Sequence, residues 1–200
     1  MPVVTALKEQ SRGRVAVELD GAPWRLVPTD AVVRTNLFVG RALDRETARS
    51  LGRELRRSRA LDLALRSLRH RDLSRSRLDA RLSDRGASPA ARAEALETLE
   101  AAGFIDDARV AAGRAAALAG RGYGDAAIRF ALEGDGLSRD LVVEALAGLE
   151  PEAERARALA ARRGGGPSAI RWLAGRGFDA AALEDLVAGL ENATGAEETP

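Results

Sequence analysis

A row of arginines is the first feature of this sequence that could do chemistry. Arg77, Arg81 and Arg85 are spaced by four residues, so a helix would place their guanidinium groups on one face. Guanidinium groups bind phosphates and carboxylates through paired hydrogen bonds, and three in line would form a cationic ridge. The competing interpretation is a solvated helix face opposite Leu78 and Leu82, partly neutralised by neighbouring aspartates.

Charge is distributed unevenly along the chain. Eleven arginines lie between residues 53 and 85 against five acidic residues, whereas residues 178–200 carry six acids and no base. A second basic patch, at Arg155, Arg157, Arg162 and Arg163, is weaker because two glutamates precede it. The chain is therefore a charge dipole along its length, which could fix its orientation on an acidic partner.

The glycine-rich stretch from Gly120 to Gly124 could be taken for a phosphate-binding loop. A P-loop follows a strand and ends in Gly-Lys-Ser/Thr, but here a helical pattern precedes the glycines and no lysine follows. We interpret it as a turn between two helices, with Tyr123 packing across it. Asp106 and Asp107 are interpreted as a helix cap, because adjacent side chains at a helix start point apart.

The residue inventory disfavours most catalytic sites. The chain has no cysteine and a single histidine, His70, so disulfides, thiolate chemistry and multi-histidine metal sites are excluded. No nucleophile, base and oxyanion site can be assembled, so we predict a protein that is not an enzyme and needs no cofactor or metal. The chain lacks a signal-peptide pattern and a membrane-length apolar run, so we expect a cytoplasmic protein.

The first 43 residues predict a small β-rich segment. Valines alternate with other residues from Val15, Asp20-Gly21 is a hairpin turn signal, and residues 5–7 can supply a third strand. A short helical turn is expected from residue 29. Trp24 has two interpretations, a hydrophobic plug for the sheet or a platform for base stacking, and we favour the plug.

The rest of the chain repeats one helical unit three times. Gly86, Gly136 and Gly177 each end a short helix that has a leucine four residues before the glycine, and an apolar residue follows each glycine. A helix with an apolar ladder then follows in every copy, and this recurrence indicates an internal repeat. The ladders are Ala91, Ala95, Leu96 and Leu99; Leu141, Ala145, Leu146 and Leu149; and Ala182, Leu186, Val187 and Leu190.

These patterns predict a mainly α protein with three tandem three-helix repeats in an elongated array, preceded by the small β-rich segment. Each repeat is similar to a helix-turn-helix module. The expected segments are the β-rich segment (1–43), a linking helix (44–59) that ends in a joint at 58–60, repeats at 60–103, 104–150 and 151–192, and an acidic disordered tail (193–200).

Motifs in the central repeat resemble those of the RecX family. The stretch 103–107 reads Gly-Phe-Ile-Asp-Asp, residues 121–124 read Arg-Gly-Tyr-Gly, and Ile128-Arg129 leads into a glycine-ended helix. Their order and spacing are similar to the central motif of that family. The tandem three-helix units and the N-terminal hairpin also match it, so the resemblance covers nearly the whole chain.

The resemblance implies a regulatory function. RecX proteins regulate the recombinase RecA, so we expect the chain to bind RecA and its DNA filament. There it would mainly inhibit recombinase, ATPase and co-protease activity in homologous recombination, DNA repair and the SOS response. We expect a monomer that does not contact membranes. The residues expected at the partner interface are Arg71, Arg75, Arg77, Arg81, Arg85, Arg121, Tyr123, Arg129, Arg162 and Arg163.

Two other functions stay open from the sequence. The repeats could bind single- or double-stranded DNA directly, and binding would then depend steeply on salt with or without RecA. They could also be a scaffold for a different protein. The residues do not distinguish filament capping from groove blocking or disassembly.

Overall fold

The computed structural model describes residues 1–196, with side chains described through residue 189. This part of the chain contains a three-stranded sheet followed by ten helices, which confirms the mainly helical fold with strands near the N-terminus. The chain divides into two compact units. The first comprises Met1–Asp72 and Leu78–Ile105, and the second comprises Leu73–Arg77 and the chain from Asp106 onward. The six-segment division expected from the sequence stays a prediction.

Alternating valines build the N-terminal sheet. Strands β1 (Val4–Gln10), β2 (Arg14–Leu19) and β3 (Ala22–Pro28) are antiparallel and adjacent in chain order. Asp20 and Gly21 have φ of 50° and 81°, as a two-residue hairpin turn requires. The core of this module consists of Val4, Val15, Val17, Val27 and Leu37.

Trp24 does not plug this sheet, so that prediction is wrong. Its side chain is 39% exposed, and the guanidinium of Arg25 lies 5.0 Å from the centre of its ring. Side chains alternate between the two faces of a strand, so Trp24 and Leu26 lie on the face opposite to the fully buried Val27. Both therefore face away from the apolar core.

The helices follow the sheet in chain order. Their bounds are α1 Thr29–Arg34, α2 Arg45–Leu68, α3 Arg75–Asp84, α4 Pro89–Ala101, α5 Asp107–Gly120, α6 Asp125–Gly134, α7 Arg139–Ala147, α8 Glu152–Arg162, α9 Gly166–Ala174 and α10 Ala180–Ala196. Residues 197–200 of the predicted tail lie outside the described residues.

Helix α2 is continuous, so the predicted joint at residues 58–60 is wrong. These residues include neither glycine nor proline, and Ala60 is fully buried in an alanine cluster with Ala91 and Ala95 of α4. The expected linking helix and the next helix therefore form one helix of 24 residues. Asp44 caps its start by accepting a hydrogen bond from the Thr47 N–H at 2.7 Å, which lowers the pKa of Asp44.

The three glycine-ended helices α3, α6 and α9 finish in the same turn. Gly86, Gly136 and Gly177 have φ of 75°, 75° and 80°, a backbone region that other residues rarely adopt. In each turn the N–H after the glycine donates to the carbonyl of the leucine four residues before it, at 3.1, 3.3 and 3.3 Å. This is the Schellman motif. The three leucines, Leu82, Leu132 and Leu173, are fully buried.

The apolar ladders of the repeats are confirmed in α4 and revised in α7 and α10. All four predicted residues of α4 are at most 5% exposed. In the second repeat Val142 of α7 is fully buried, and the predicted Leu141, Leu146 and Leu149 are partly buried and pack against the same core. In α10, Leu183 is buried whereas Val187 is 41% exposed, and the side chain of Leu190 lies outside the described residues. The prediction is therefore right for Ala145 and Ala182, which are 7% and 9% exposed, and it missed the buried Val142 and Leu183.

We expect Leu132→Ala to lower the free energy of unfolding by about 2–5 kcal/mol, because it removes a fully buried side chain at the centre of the second unit. Val143→Ala, at a position 55% exposed, is the matched control and should change stability by less than about 0.5 kcal/mol. Chemical denaturation of both variants measures the difference. Equal midpoints for the two would contradict the assigned core.

Candidate binding surface

The predicted arginine ridge lies on the exposed side of α3. Arg77 and Arg81 are exposed on the helix, and Arg85 is exposed directly after its last residue. Leu78 and Leu82 are fully buried on the other side. The spacing therefore predicted the helix face correctly, but the three arginines differ in their partners.

Arg77 is held by an ion pair within the second unit. Its Nε donates to Asp135 Oδ1 at 2.8 Å, and Asp135 is also paired with Arg114. Ser74 Oγ donates to the Asp135 carbonyl at 2.5 Å. The side chain of Asp135 is only 13% exposed, so this ion pair fastens the start of α3 to the end of α6. The observed role of Arg77 is therefore structural.

Asp106 and Asp107 are adjacent in the sequence but cap two different helices. Asp106 caps α5 by accepting a hydrogen bond from the Arg109 N–H at 2.9 Å, as predicted. Asp107 instead accepts from the Arg75 N–H at 2.8 Å, so it caps α3. The start of α3 is therefore held by two aspartates from distant parts of the sequence, Asp107 and Asp135.

Arg81 and Arg85 line a basic groove within the first unit, together with side chains of α2. We call it the α2–α3 groove. It consists of two adjoining depressions of about 170 and 250 Å³ that share Leu63 and Arg85. The five arginines that line it are Arg56, Arg59, Arg66, Arg81 and Arg85. His70 lies at one end, and no carboxylate lines either depression. Arg71 is exposed beyond the end of α2.

In the second unit, arginines and aromatic rings alternate in a stack. The guanidinium of Arg176 lies 4.4 Å from the centre of the Tyr123 ring and 4.8 Å from that of Trp172. Arg121 covers Tyr123 at 5.7 Å, and Arg163 covers Trp172 at 4.1 Å. Arginine over an aromatic face is attractive because the ring face is electron-rich. Tyr123 therefore packs at the turn after α5, as predicted, but between two arginines.

Backbone contacts lock the same turn to the end of α9. Arg176 Nε donates to the Gly122 carbonyl at 2.9 Å, and the Gly124 N–H donates to the Arg176 carbonyl at 3.0 Å. A Cβ added to Gly124 would overlap the carbonyl group of Gly177. Gly124 thus allows a close backbone approach and Gly122 adopts a positive φ of 79°, which agrees with the interpretation as a turn and not a phosphate loop.

Arg155 is a buried structural residue, so its assignment to the second basic patch is wrong. Its side chain is 8% exposed, and it donates to the Glu150 carbonyl at 2.9 Å and to the Tyr123 carbonyl at 3.1 Å. It also forms an ion pair with Asp125. One guanidinium thus joins the start of α8 to the turn before α6. Arg162 and Arg163 remain exposed.

Glu152 belongs to the same junction. Its Oε1 accepts a hydrogen bond from the Asp125 N–H at 2.6 Å. Burial raises the pKa of Glu152, and the nearby carboxylates of Asp125 and Asp179 act in the same direction, while this N–H opposes them. The pKa of Glu152 is therefore higher in the folded state than in the unfolded state. The contribution of Glu152 to stability falls as pH rises from the unfolded-state pKa through the folded-state pKa.

The remaining predicted residue, Arg129, is exposed on α6 beside Phe130, which is 80% exposed. The structure therefore brings Arg81 and Arg85 together in the groove, and Arg121, Tyr123 and Arg163 in the stack. Arg129 lies in neither group.

Sequence reasoning missed the α2 side of the groove, and it also missed Arg176. Arg56, Arg59, Leu63 and Arg66 follow one another at intervals of three or four, so helical periodicity could have placed them on one face. Arg176 offers no such signal, because its partners are carbonyls 54 and 55 residues away.

The described residues contain no group of three or more histidine or acidic side chains that could hold a metal ion. None of their helices combines the length and apolar character needed to cross a membrane.

No family model matches the chain. A regulatory protein RecX from Xanthomonas oryzae pv. oryzae is 37% identical over 146 residues, covering 68% of this chain and 91% of the relative. A crystal structure of a regulatory protein RecX superposes with a TM-score of 0.80 at 20% identity, over 93% of this chain and 98% of the other. A crystal structure of RecX from Lactobacillus salivarius superposes with a TM-score of 0.59 at 17% identity, over 68% of this chain and 97% of the other.

At 20% and 17% identity, the two structural matches show that the fold of this chain is shared with crystallised RecX proteins. The sequence match covers nine-tenths of its relative at more than one-third identity. The chain belongs to the RecX family.

The close contact at Gly124 generates a stability prediction. Gly124→Ala should lower the free energy of unfolding by about 1–3 kcal/mol, because the added methyl group overlaps backbone atoms that cannot move aside. Gly113→Ala, inside α5 with open space around the added methyl group, is the control and should be neutral or stabilising by up to about 1 kcal/mol. Thermal melting that places both variants above the wild type would refute the contact.

The buried Arg155 generates a second stability prediction. Arg155→Met keeps the bulk of the side chain but leaves Asp125 and two carbonyls without their donor, so we expect a loss of about 3–5 kcal/mol. Arg157→Met changes an exposed residue of the same helix and should cost less than about 0.5 kcal/mol. Urea denaturation distinguishes the two. Similar small losses for both would show that Arg155 is not part of a buried network.

Proposed function

We propose that this protein binds the recombinase RecA and its DNA filament and restrains their activity. Membership of the RecX family carries the proposal, since a relative covering most of this chain is named a regulatory protein RecX. The Gly-Phe-Ile-Asp-Asp and Arg-Gly-Tyr-Gly motifs add to it. The protein would restrain ATP hydrolysis, strand exchange and co-protease activity of RecA. It would thereby regulate homologous recombination, DNA repair and the SOS response in the cytoplasm.

The action we propose is binding and not catalysis. The family is named as regulatory, and the conspicuous side chains of the structure are arginines that hold helices together or stand free on the surface. We propose that helices α2–α4, α5–α7 and α8–α10 form three repeats of a monomer. Tethered repeats add weak contacts at high effective concentration, which suits a partner that itself repeats along a filament.

Within the predicted interface, Arg81 and Arg85 are the leading contact residues. Both are exposed, and in the described part of the chain neither has an ion-pair partner, in contrast to Arg77. They can therefore bind an acidic surface without first breaking an internal contact. Arg121, Tyr123 and Arg163 are the second set, because the stack holds their side chains in place and reduces the entropy lost on binding. Arg71, Arg75, Arg129 and Arg162 complete the proposed interface.

The double variant Arg81→Glu with Arg85→Glu tests the proposal. The two introduced glutamates would repel an acidic surface, which slows association and weakens binding. We therefore expect half-maximal inhibition of the RecA ATPase to require at least about tenfold more of the variant than of the wild type. The fold should persist, because exposed charges contribute little to stability. The assay is a titration of DNA-stimulated RecA ATPase, with strand exchange as a second readout.

The matched control is Arg139→Glu with Arg171→Glu, which makes the same change of charge at two exposed arginines of the second unit. This control should inhibit like the wild type. Absence of any inhibition by the folded wild type would overturn the proposed function. Equal inhibition by both double variants would remove Arg81 and Arg85 from the interface and leave the function in place.

A further inference from the structure

A pocket beside Gly86 matches sites that the chain fills elsewhere with its own helices. It is the depression of about 170 Å³ in the α2–α3 groove, and we call it the Gly86 pocket. Its lining, all within the first unit, includes Arg56, Arg59 and Leu63 of α2 and Arg85 and Gly86 of the turn after α3. A Cβ added to Gly86 would meet no atom within 4 Å, so the space beside this turn is open.

The corresponding turns after α6 and α9 each receive the start of another helix. A Cβ on Gly136 would overlap Ser76, near the start of α3. A Cβ on Gly177 would lie 2.7 Å from the Cβ of Ala127 in α6. In repeat proteins each unit packs on its neighbours, so a terminal unit keeps one such contact surface free.

Two arginines hold the turn between α5 and α6 in the filled site beside α9. Arg176, the residue before the turn glycine, donates to the Gly122 carbonyl at 2.9 Å. Arg155 of α8 donates to the Tyr123 carbonyl at 3.1 Å and forms an ion pair with Asp125, the first residue of α6. The site therefore recognises the carbonyls of an interhelical turn and an acid at the start of the second helix.

The same two arginines are present at the Gly86 pocket. Arg59 lies one residue before a fully buried alanine of α2, as Arg155 does in α8. Arg85 and Arg176 each directly precede a turn glycine, with φ of 75° and 80°. Both pocket arginines are exposed, and within the described part of the chain their side chains form no hydrogen bond or ion pair.

One position differs, and it determines the charge of the occupant. Asp107 and Glu152, each four residues before a buried alanine, accept hydrogen bonds from the helix-start N–H groups of Arg75 and Asp125 at 2.8 and 2.6 Å. Arg56 stands at the same position of α2. The Gly86 pocket thus offers three cations and no acid, so a helix start bound there must bring its own carboxylates.

A second copy of this chain is a poor occupant. The turn between α8 and α9 would be the equivalent segment, but α9 begins with Gly166, Pro167 and Ser168, which carry no acid. Arg162 and Arg163 precede it and would face the arginines of the pocket. Like charges opposite one another oppose association.

We propose that the Gly86 pocket binds an interhelical turn of a partner protein whose second helix begins with Asp or Glu. Arg59 pairs with that carboxylate and Arg85 donates to the carbonyls of the turn, as their counterparts do in the filled site. A small residue in the first turn of the second helix packs on Gly86. The inference does not rest on the proposed function, because this chemistry alone defines the partner.

The experiment measures fluorescence anisotropy of a labelled peptide of residues 118–134, the chain's own turn and α6, with the full chain. In the peptide, Arg129→Lys is joined to Glu133 by a lactam, which keeps it helical and leaves it without net charge. The protein variant Arg59→Gln with Arg85→Gln should weaken binding at least about tenfold.

The matched control, Arg49→Gln with Arg53→Gln, removes the same charge from exposed positions of α2 outside the pocket and should bind like the wild type. A peptide with Asp125→Asn should bind the wild type at least about fivefold more weakly. The single variant Arg59→Gln should bind both peptides alike, because it lacks the partner of that carboxylate.

Three results would overturn the inference: no binding of the peptide by the wild type, equal affinities of the two double variants, or an undiminished preference of Arg59→Gln for the Asp125 peptide. Sedimentation of the wild type should show a monomer. Self-association that Arg59→Gln with Arg85→Gln abolishes would identify a second copy as the occupant and would also overturn it.

Discussion

Close backbone contact at glycine-ended helices is the constraint on which the second unit depends. A Cβ on Gly177 would lie 2.7 Å from the Cβ of Ala127, and a Cβ on Gly136 would overlap the side chain of Ser76. In both cases the start of one helix, α6 or α3, packs on the turn that ends another, α9 or α6. The positive φ of each glycine ends its helix, and the missing side chain leaves room for the next helix.

The same turn also fixes the buried side chains. Each Schellman hydrogen bond joins the residue after the glycine to a leucine carbonyl, and that leucine is fully buried. Ending the helix at the glycine therefore decides which leucine enters the core. A protein with few aromatic residues gains its core from leucine, valine and alanine at such positions, and alanine allows helices to approach closely, as Ala60 and Ala95 do.

Arginine serves two separate purposes in this chain. Arg155 and Arg176 donate to backbone carbonyls at helix ends that would otherwise lack partners. Both bridge elements that are remote in sequence, and in the described residues no buried side-chain polar atom lacks a partner. The arginines of the α2–α3 groove make no such contacts. The arginines with internal partners therefore stabilise the fold, whereas those of the groove remain exposed without such partners.

The sequence alone determined the helical repeat, the three glycine turns, the hairpin at Asp20-Gly21 and the exposed face of α3, because each depends on residues within about one helical turn or one hairpin. It misplaced Trp24 and the joint at 58–60, and it missed the buried Val142 and Leu183, where packing against other elements decides the result. Only the tertiary structure showed that Arg77 and Arg155 are held by internal ion pairs while Arg56, Arg59 and Arg66 face Arg81 and Arg85. The physical reason is that the sequence shows the charge of each arginine but not the acid or carbonyl that pairs with it. The fold determines that partner, which is often more than 30 residues away in the sequence.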